Sequence, residues 1–205
     1  MPLALVAHEW ILSPIVRAME RSKPSRTALR WSRCWRSHRD GSRPRVLCVG
    51  YLKTGTTSFG KAMRQLGYAH YGYDRDLAAA LRGGDVERCL AVAERFDSLD
   101  DWPWSMPAFV AAFQQRFPNS RYVLLERDEV TWLRSYRAFF NATAADGELL
   151  DELRSHHRMM DQLLANEQHV LRMNICAGDG YEKLCPFLGL PVPDVPFAWA
   201  NKSGS

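Results

Sequence analysis

From Arg45 onward the chain alternates short apolar runs with longer helical patterns, and no other feature limits its fold as strongly. Alternation of this kind is typical of βα units arranged around a mainly parallel sheet. We therefore predict a single α/β domain in which a mainly parallel sheet is flanked by helices. The predicted strands are 46–49, an extended stretch at 68–73, 122–125 and 170–175, and the predicted helices are 57–66, 76–81, 85–96, 107–117, 129–140, 148–168 and 181–188.

The segment from Gly50 to Ser58, G-Y-L-K-T-G-T-T-S, follows the first predicted strand and opens the first predicted helix. Backbone N–H groups at such a turn converge on a phosphate-like anion, and glycines let the main chain approach it closely. The spacing of Gly50 and Gly55 matches the start of the nucleotide-binding pattern G-x-x-x-x-G-K-[ST], which indicates a P-loop NTPase-like fold. Thr56 stands, however, where an ATPase has its lysine, and Lys53 lies inside the loop instead. The sequence thus predicts an anion-binding loop that differs from an ATPase loop.

A second motif lies at the end of predicted strand 122–125. Arg127 follows that strand, and Ser135 comes eight residues later, two turns along the next predicted helix. A guanidinium binds phosphate through two parallel hydrogen bonds, and a hydroxyl adds a directional donor. K-T-G-T-T-S after a strand, together with this Arg/Ser pair, resembles the 5′-phosphosulfate loop and the 3′-phosphate site of sulfotransferases that use 3′-phosphoadenosine 5′-phosphosulfate. Segments 97–104 and 178–201 resemble a compact subgroup of the same family, so the resemblance runs from about Arg45 to Asn201.

The resemblance implies an enzyme that moves a sulfuryl group from 3′-phosphoadenosine 5′-phosphosulfate to a hydroxyl or amine acceptor. The product would be 3′,5′-adenosine bisphosphate, and no metal would be required. Lys53 would stabilise the charge that develops on the departing phosphate. The implied donor-binding residues are Lys53, Thr54, Gly55, Thr56, Thr57, Ser58, Arg127 and Ser135.

The base that would remove the acceptor's proton is left open by the sequence. Asp101, just before the Trp102-Pro103 step, occupies the place where the family often has a His or an acidic residue beside the acceptor. A carboxylate can serve as a base if desolvation raises its pKa toward the working pH. Asp97 and Asp100 compete on the same segment, although either could cap a helix instead. His70 is the alternative base.

The platform for adenine and the acceptor pocket are also open. Sulfotransferases of small phenols and steroids usually carry a Trp where Ser58 stands. Trp132 is a candidate for the adenine platform here, or else a buried residue on a helix face. We expect a small-molecule or glycan acceptor. Arg134 and Arg137 could favour an acidic glycan or simply form an exposed helix face. Four aromatic residues could line an acceptor pocket or pack in the core: Trp102, Trp104, Phe139 and Phe140.

Residues 1–44 are expected to form a basic N-terminal extension, separate from a sulfotransferase domain at 45–205. Nine Lys/Arg against three acidic residues give the extension a charge of +6, whereas the rest of the chain carries −2 of the total +4. An apolar stretch followed by arginines could be a membrane-surface helix, a targeting peptide or a solvated arm. No window approaches the roughly 18 apolar residues of a membrane span. We expect a cytoplasmic protein, with peripheral membrane contact through the extension left open.

The five cysteines are an odd number and form no C-x-x-C pair, which favours a reducing compartment. The histidines lack the spacing of metal ligands, so we predict no structural metal.

Two other functions compete with sulfuryl transfer. A strand, turn and helix with Glu126 at a strand end could belong to a Mg²⁺-dependent nucleotide kinase or NTPase, although the displaced lysine argues against it. The Arg-rich extension could instead belong to a noncatalytic anion- or RNA-binding module. Aromatic residues are interleaved with its basic residues only at Trp31 and Trp35, so no specific nucleic acid is expected as a partner.

Overall fold

Five short strands lie side by side at the centre of the computed structural model, which describes residues 41–199. The strands are β1 (Val46–Cys48), β2 (His70–Tyr71), β3 (Ser98–Leu99), β4 (Arg121–Leu125) and β5 (Val170–Met173). Their order across the sheet is β2-β3-β1-β4-β5, and every neighbouring pair is parallel. The predicted α/β domain with a parallel sheet is therefore confirmed. Most of the predicted extension, residues 1–40, lies outside the described residues.

Helices connect the strands in the manner of successive βα units. They are α1 (Thr56–Gln65), α2 (Arg75–Arg82), α3 (Val86–Ala93), α4 (Pro107–Arg116), α5 (Glu129–Phe140), α6 (Asp146–Leu164) and α7 (Tyr181–Leu188), with a 3₁₀ turn at Ile175–Ala177. Local signals explain several boundaries: Asp74 caps α2, Asp128 caps α5 and Pro107 opens α4. The strand, loop and helix formed by β1 and α1 match the predicted P-loop-like arrangement.

Two hydrophobic cores lie on opposite faces of the sheet because strand side chains alternate between them. Leu47 of β1 points into the larger core, which contains residues of α2 to α6, whereas Val46 and Cys48 point into the smaller one beneath α1 and α7. The same alternation places Leu124 of β4 in the larger core and Val123 in the smaller. Both faces of the sheet are thus covered, as parallel sheets require.

The carboxyl ends of the strands meet at one edge of the sheet, and this edge positions the site. The chain moves from β1 to β2 and β3 on one side and then to β4 and β5 on the other. Ligands of open α/β sheets bind at such a point of reversal, outside the carboxyl ends of the strands. The loop after β1, the Asp100-Asp101 pair after β3 and Arg127 after β4 all lie at this edge.

The structure differs from the predicted elements by more than one residue in five places. Strand β2 covers only His70–Tyr71 of the predicted 68–73, and α3 ends at Ala93 instead of Phe96. Strand β3 was not predicted, because two residues flanked by aspartates carry no periodic pattern. Helix α6 begins at Asp146 and ends at Leu164, earlier than the predicted 148–168. Strand β5 ends at Met173, because Asn174 caps the 3₁₀ turn that follows it.

Candidate functional site

The loop between β1 and α1 turns sharply at two residues with positive φ. Lys53 has a φ of 66° and Gly55 a φ of 112°. A Cβ on Gly55 would lie 3.3 Å from the Cβ of Ile175, so conformation and packing both favour glycine there. The buried Thr54 hydroxyl donates to the Tyr51 carbonyl at 2.5 Å. Thr54 therefore maintains the shape of the loop from within.

The N-terminus of α1 is suited to an anion. Gly55 provides no side-chain cap, and the first turn holds no acidic residue. The helix dipole and the N–H groups of a first turn attract negative charge. The Thr57 side chain is exposed there, Ser58 is buried, and the Thr56 hydroxyl donates to Asp101 Oδ2 at 3.3 Å. Of the predicted hydroxyl donors, Thr57 therefore faces solvent, whereas Thr54 and Thr56 donate hydrogen bonds to other groups of the protein.

Lys53 is half-buried, and its ammonium lies against an aromatic ring of α5. Its Nζ is 4.0 Å from the centroid of the Phe139 ring, which is a cation–π contact. Burial and then the Arg127 guanidinium lower the pKa of Lys53, and the Asp101 carboxylate opposes this effect. An ammonium group confined in this way can act on charge that develops within the loop.

Arg127 reaches from the end of β4 to the same loop. Its Nη1 donates to the Lys53 carbonyl at 2.9 Å, and its Nε donates to Thr131 Oγ1 at 3.3 Å. The side chain is partly exposed, and its Nη2 has no hydrogen-bond partner among residues 41–199. Arg127 therefore retains donor capacity for an anion beside the loop.

Ser135 lies on the face of α5 that borders the loop. Thr131, Ser135 and Phe139 are spaced four residues apart and so share one helix face. The first contacts Arg127, and the last contacts the Lys53 ammonium. Ser135, which is partly exposed, lies between them. The structure thus places Arg127 and the face of α5 that carries Ser135 beside the loop.

Trp132, the candidate platform for adenine, belongs to the core. Its ring is fully buried and stacks on Tyr136 with centroids 5.0 Å apart. Its Nε1 donates to the Leu52 carbonyl at 2.7 Å, so it supports the loop from behind. The hypothesis that Trp132 stacks on adenine is therefore not supported.

Asp101 follows β3 and faces the start of α1. Its Oδ1 accepts from the Trp102 N–H at 2.8 Å, and its Oδ2 accepts from the Thr56 hydroxyl at 3.3 Å. Burial, followed by the negative charge of Asp100, raises the pKa of Asp101 to about 7, whereas those two hydrogen bonds and Lys53 act in the opposite direction. Among the four candidate bases, Asp101 is the one that hydrogen-bonds a residue at the start of α1, through Thr56.

His70 lies beneath α1 and is buried, with its Nε2 3.3 Å from Asp100 Oδ1 and its Nδ1 3.0 Å from Ser98 Oγ. It therefore touches the neighbour of Asp101 and does not line the loop.

Asp97 lies at the opposite edge of the sheet. It precedes β3, whose Ser98 pairs with Val46 at the start of β1. Its Oδ2 accepts from the Ala69 N–H at 3.0 Å, and it is buried. The structure does not bring this sequence candidate to the loop.

The aromatic candidates for an acceptor pocket separate into two groups. Trp102 and Trp104 are fully buried, and Trp104 Nε1 donates to the Gly72 carbonyl at 2.8 Å. Phe140 is partly buried against the larger core, whereas Phe139 is 64% exposed beside Lys53. Core packing thus accounts for the two tryptophans.

Arg137, a candidate for binding an acidic glycan, donates to the Ala142 and Ala144 carbonyls and holds the turn between α5 and α6.

Glu126, the magnesium ligand of the kinase alternative, pairs with Arg172 at 2.5 Å. Across the described part of the chain, no group of three or more His, Cys, Asp or Glu is placed to hold a metal ion.

Sequence reasoning missed the contact of Phe139 with Lys53 and that of Thr131 with Arg127. The four-residue spacing of Thr131, Ser135 and Phe139 could have indicated both, once α5 was expected to border the loop.

His156 supports the loop from α6 and provides a stability test. It is fully buried, its Nε2 donates to the Val49 carbonyl at 2.8 Å, and burial lowers its pKa to about 4. Between about pH 6.5 and 4 the unfolded chain takes up a proton that the folded chain does not, so this group destabilises the fold as the pH falls. We expect a loss of about 3 kcal/mol across that window.

The measurement is urea unfolding at pH 7.5 and pH 4.5 for the wild type and His156→Gln, whose amide can still donate to Val49. Other groups titrate in both proteins, so the difference between the two pH dependences isolates His156. Identical pH dependences would contradict the assignment.

Comparison with known proteins assigns the chain to a family. A family model described as a sulfotransferase domain matches residues 45–164 and 143–205. Among solved structures, shikimate kinase from Bacteroides thetaiotaomicron is 18% identical, with a TM-score of 0.46 over 64% of this chain and 86% of that chain. No curated protein matches the sequence. No helix within residues 41–199 is long and apolar enough to cross a membrane. Because the family model covers well over half of the sequence, the chain belongs to the sulfotransferase domain family.

Proposed function

We propose that the protein transfers a sulfuryl group from 3′-phosphoadenosine 5′-phosphosulfate to a hydroxyl or amine of a small molecule or glycan. The observation that carries the proposal is the hydrogen bond of Arg127 Nη1 to the Lys53 carbonyl, 2.9 Å long. It joins the two predicted phosphate sites, since Arg127 belongs to one and Lys53 to the other. Family membership supports sulfuryl transfer in general, and this contact supports a donor with phosphates at two positions.

The donor set fits such a molecule chemically. The uncapped N-terminus of α1, with Thr57 exposed, suits a phosphate at the 5′ position. The free Nη2 of Arg127 and the hydroxyl of Ser135 suit a second phosphate at the 3′ position. The Lys53 carbonyl accepts from Arg127. The Lys53 ammonium lies over Phe139, on the α5 face that also carries Ser135. The polar side chains among these are all donors or cations, as a bisphosphate requires.

Different residues of the chain stabilise the charge on the leaving group and take the proton of the acceptor. When bound, the donor supplies a sulfuryl group whose sulfur bonds to the acceptor oxygen or nitrogen as its bond to the phosphate oxygen breaks. The Lys53 ammonium stabilises the negative charge left on that oxygen. The Asp101 carboxylate takes the acceptor's proton, for which its pKa of about 7 is well placed. Thr56 orients Asp101 through its hydroxyl.

Ligand selectivity tests the proposal without knowledge of the acceptor. We expect 3′,5′-adenosine bisphosphate to bind about 10- to 100-fold more tightly than adenosine 5′-monophosphate, because the 3′-phosphate gains charge-assisted hydrogen bonds. In isothermal titration, Ser135→Ala should weaken bisphosphate binding and leave monophosphate binding unchanged. Arg127→Ala should abolish the preference.

Arg158→Ala is the matched control, because Arg158 is an exposed arginine on α6 that bonds Ser155. It should leave both affinities as in the wild type. Equal affinity for the two ligands, or tighter binding of ATP that depends on Mg²⁺, would contradict the proposal and favour a nucleotide kinase.

A further inference from the structure

Lys53 is held in the loop by three contacts that come from one helix and the turn before it. Trp132 Nε1 donates to the Leu52 carbonyl at 2.7 Å, and Arg127 Nη1 donates to the Lys53 carbonyl at 2.9 Å. The Lys53 Nζ lies 4.0 Å from the centroid of the Phe139 ring. Trp132 and Phe139 belong to α5, and Arg127 precedes it by two residues. The backbone and the ammonium of this lysine are therefore held from the same side.

The two ends of Lys53 are held for different reasons. Its φ of 66° lies in the left-handed region, which a residue with a Cβ adopts only where surrounding contacts hold it. The bonds to the Leu52 and Lys53 carbonyls provide that hold, but they leave the side-chain rotamers free. Within residues 41–199 the ammonium makes no ion pair or hydrogen bond, so the Phe139 ring is the contact that restricts it.

The Phe139 ring is exposed, yet its orientation is fixed by the core. Its edge meets the Phe140 ring, with centroids 4.8 Å apart and planes at 81°. Phe140 lies 4.6 Å from Tyr136, and Tyr136 stacks on the buried Trp132 at 5.0 Å. These rings form a continuous row from the core to the surface. The face of a ring held in this way attracts a cation electrostatically.

We propose that Phe139 is a positioning residue for Lys53, and that its ring holds the ammonium beside the loop. This inference rests on the proposed function, because it takes Lys53 as the group that stabilises the charge left on the departing phosphate. Phe139 acts through Lys53 and makes no bond to the reacting atoms. An ammonium that is already in place needs no reordering of its side chain as that charge develops.

The contact also favours the charged form of Lys53 over the neutral amine, which makes it measurable. Burial lowers the pKa of Lys53 most and Arg127 lowers it further, whereas Asp101 and Cys176 raise it. These three groups follow β4, β3 and β5, and none of them lies on α5. A change in the electron density of the Phe139 ring at constant shape therefore leaves their effects as they are.

The test replaces Phe139, in the full-length protein, by phenylalanines that carry one, two or three ring fluorines. Fluorine withdraws electron density from the ring face at nearly constant shape and so weakens the cation–π contact. The ¹³Cε signals of labelled lysines report ionisation by NMR, and the Lys53 signal is identified by its loss in Lys53→Arg. We expect the Lys53 midpoint to fall stepwise with the number of fluorines, by about half a pH unit over the series.

Turnover should fall along the same series, by about two- to fivefold, whereas the affinity for 3′,5′-adenosine bisphosphate should stay within about twofold of the wild type. Phe139→Leu removes the ring and keeps an apolar side chain, and it should lower turnover at least as much as three fluorines. Val130→Ala is the matched control. Val130 is similarly exposed on α5 but lies about two and a half turns away, on the opposite helix face. This variant should keep the wild-type midpoint and turnover.

A Lys53 midpoint that stays constant or rises along the fluorinated series overturns the inference. A midpoint that falls while turnover stays constant overturns it as well, because the contact then has no part in the reaction. Failure of the proposed function has a different signature, since it appears as a wild-type protein that transfers no sulfuryl group and does not prefer the bisphosphate. The midpoint series needs neither donor nor acceptor, so it decides the Lys53 contact in either case.

Discussion

Replacing Lys53 by alanine is expected to slow sulfuryl transfer by about 10²–10³-fold and to weaken donor binding far less. The reason is the placement of the ammonium. It lies at the loop against the Phe139 ring, where it acts on charge that grows as the transferred group departs. The bound ground state also has the α1 N-terminus and Arg127 as donors, so most of its binding energy survives.

The measurement pairs two assays on the same protein. The rate of 3′,5′-adenosine bisphosphate formation is followed with a panel of phenols, alcohols, amines and sugars, and the affinity for the bisphosphate is measured by titration. Lys53→Arg is the control, since it keeps the charge and should retain part of the rate. Alanine at a φ of 66° is no more strained than lysine, because both carry a Cβ. Equal losses of rate and affinity would assign Lys53 to binding alone.

Much of the fold could be predicted because its signals are local. Helices α5 and α7 have the predicted bounds, and Asp128 and Gly180 mark their starts in the sequence. The strands β1 and β4 are unbroken apolar runs, as expected when both faces of a sheet are covered. Strand β3 could not be predicted in this way, since its two residues become a strand only through pairing with β1 and β2.

The sequence could predict those site residues that belong to a motif on one segment of the chain. The loop and Arg127 follow strands that the sequence predicts, and the shared sheet edge brings them together. Which side chains face inward depends on contacts distant in sequence. Asp97 and Asp101 look alike on one short segment, yet they lie at opposite edges of the sheet because β3 runs between them. For Trp132, the sequence left open both a buried helix face and an adenine platform, and its bond to the Leu52 carbonyl places it in the core.

The pH dependence of the reaction should identify the base. With the pKa of Asp101 near 7, kcat/KM is expected to rise about tenfold per pH unit below pH 7 and to level off above it. The sign follows from the chemistry, because the ionised carboxylate takes the acceptor's proton and the protonated acid cannot. Asp101→Asn should remove this dependence and reduce the plateau by about 10²–10⁴-fold.

The melting temperature of Asp101→Asn shows whether the variant has lost only its base or also its fold. The raised pKa means that folding disfavours the ionised form of Asp101, so above pH 7 this carboxylate destabilises the protein. The asparagine Oδ1 can still accept from the Trp102 N–H, and its Nδ2 can donate to the Thr56 hydroxyl oxygen. We therefore expect Asp101→Asn to melt at a higher temperature than the wild type at pH 8 while its turnover collapses. A variant that keeps the wild-type pH profile would exclude Asp101 as the base, and a lower melting temperature would show that the carboxylate stabilises the fold.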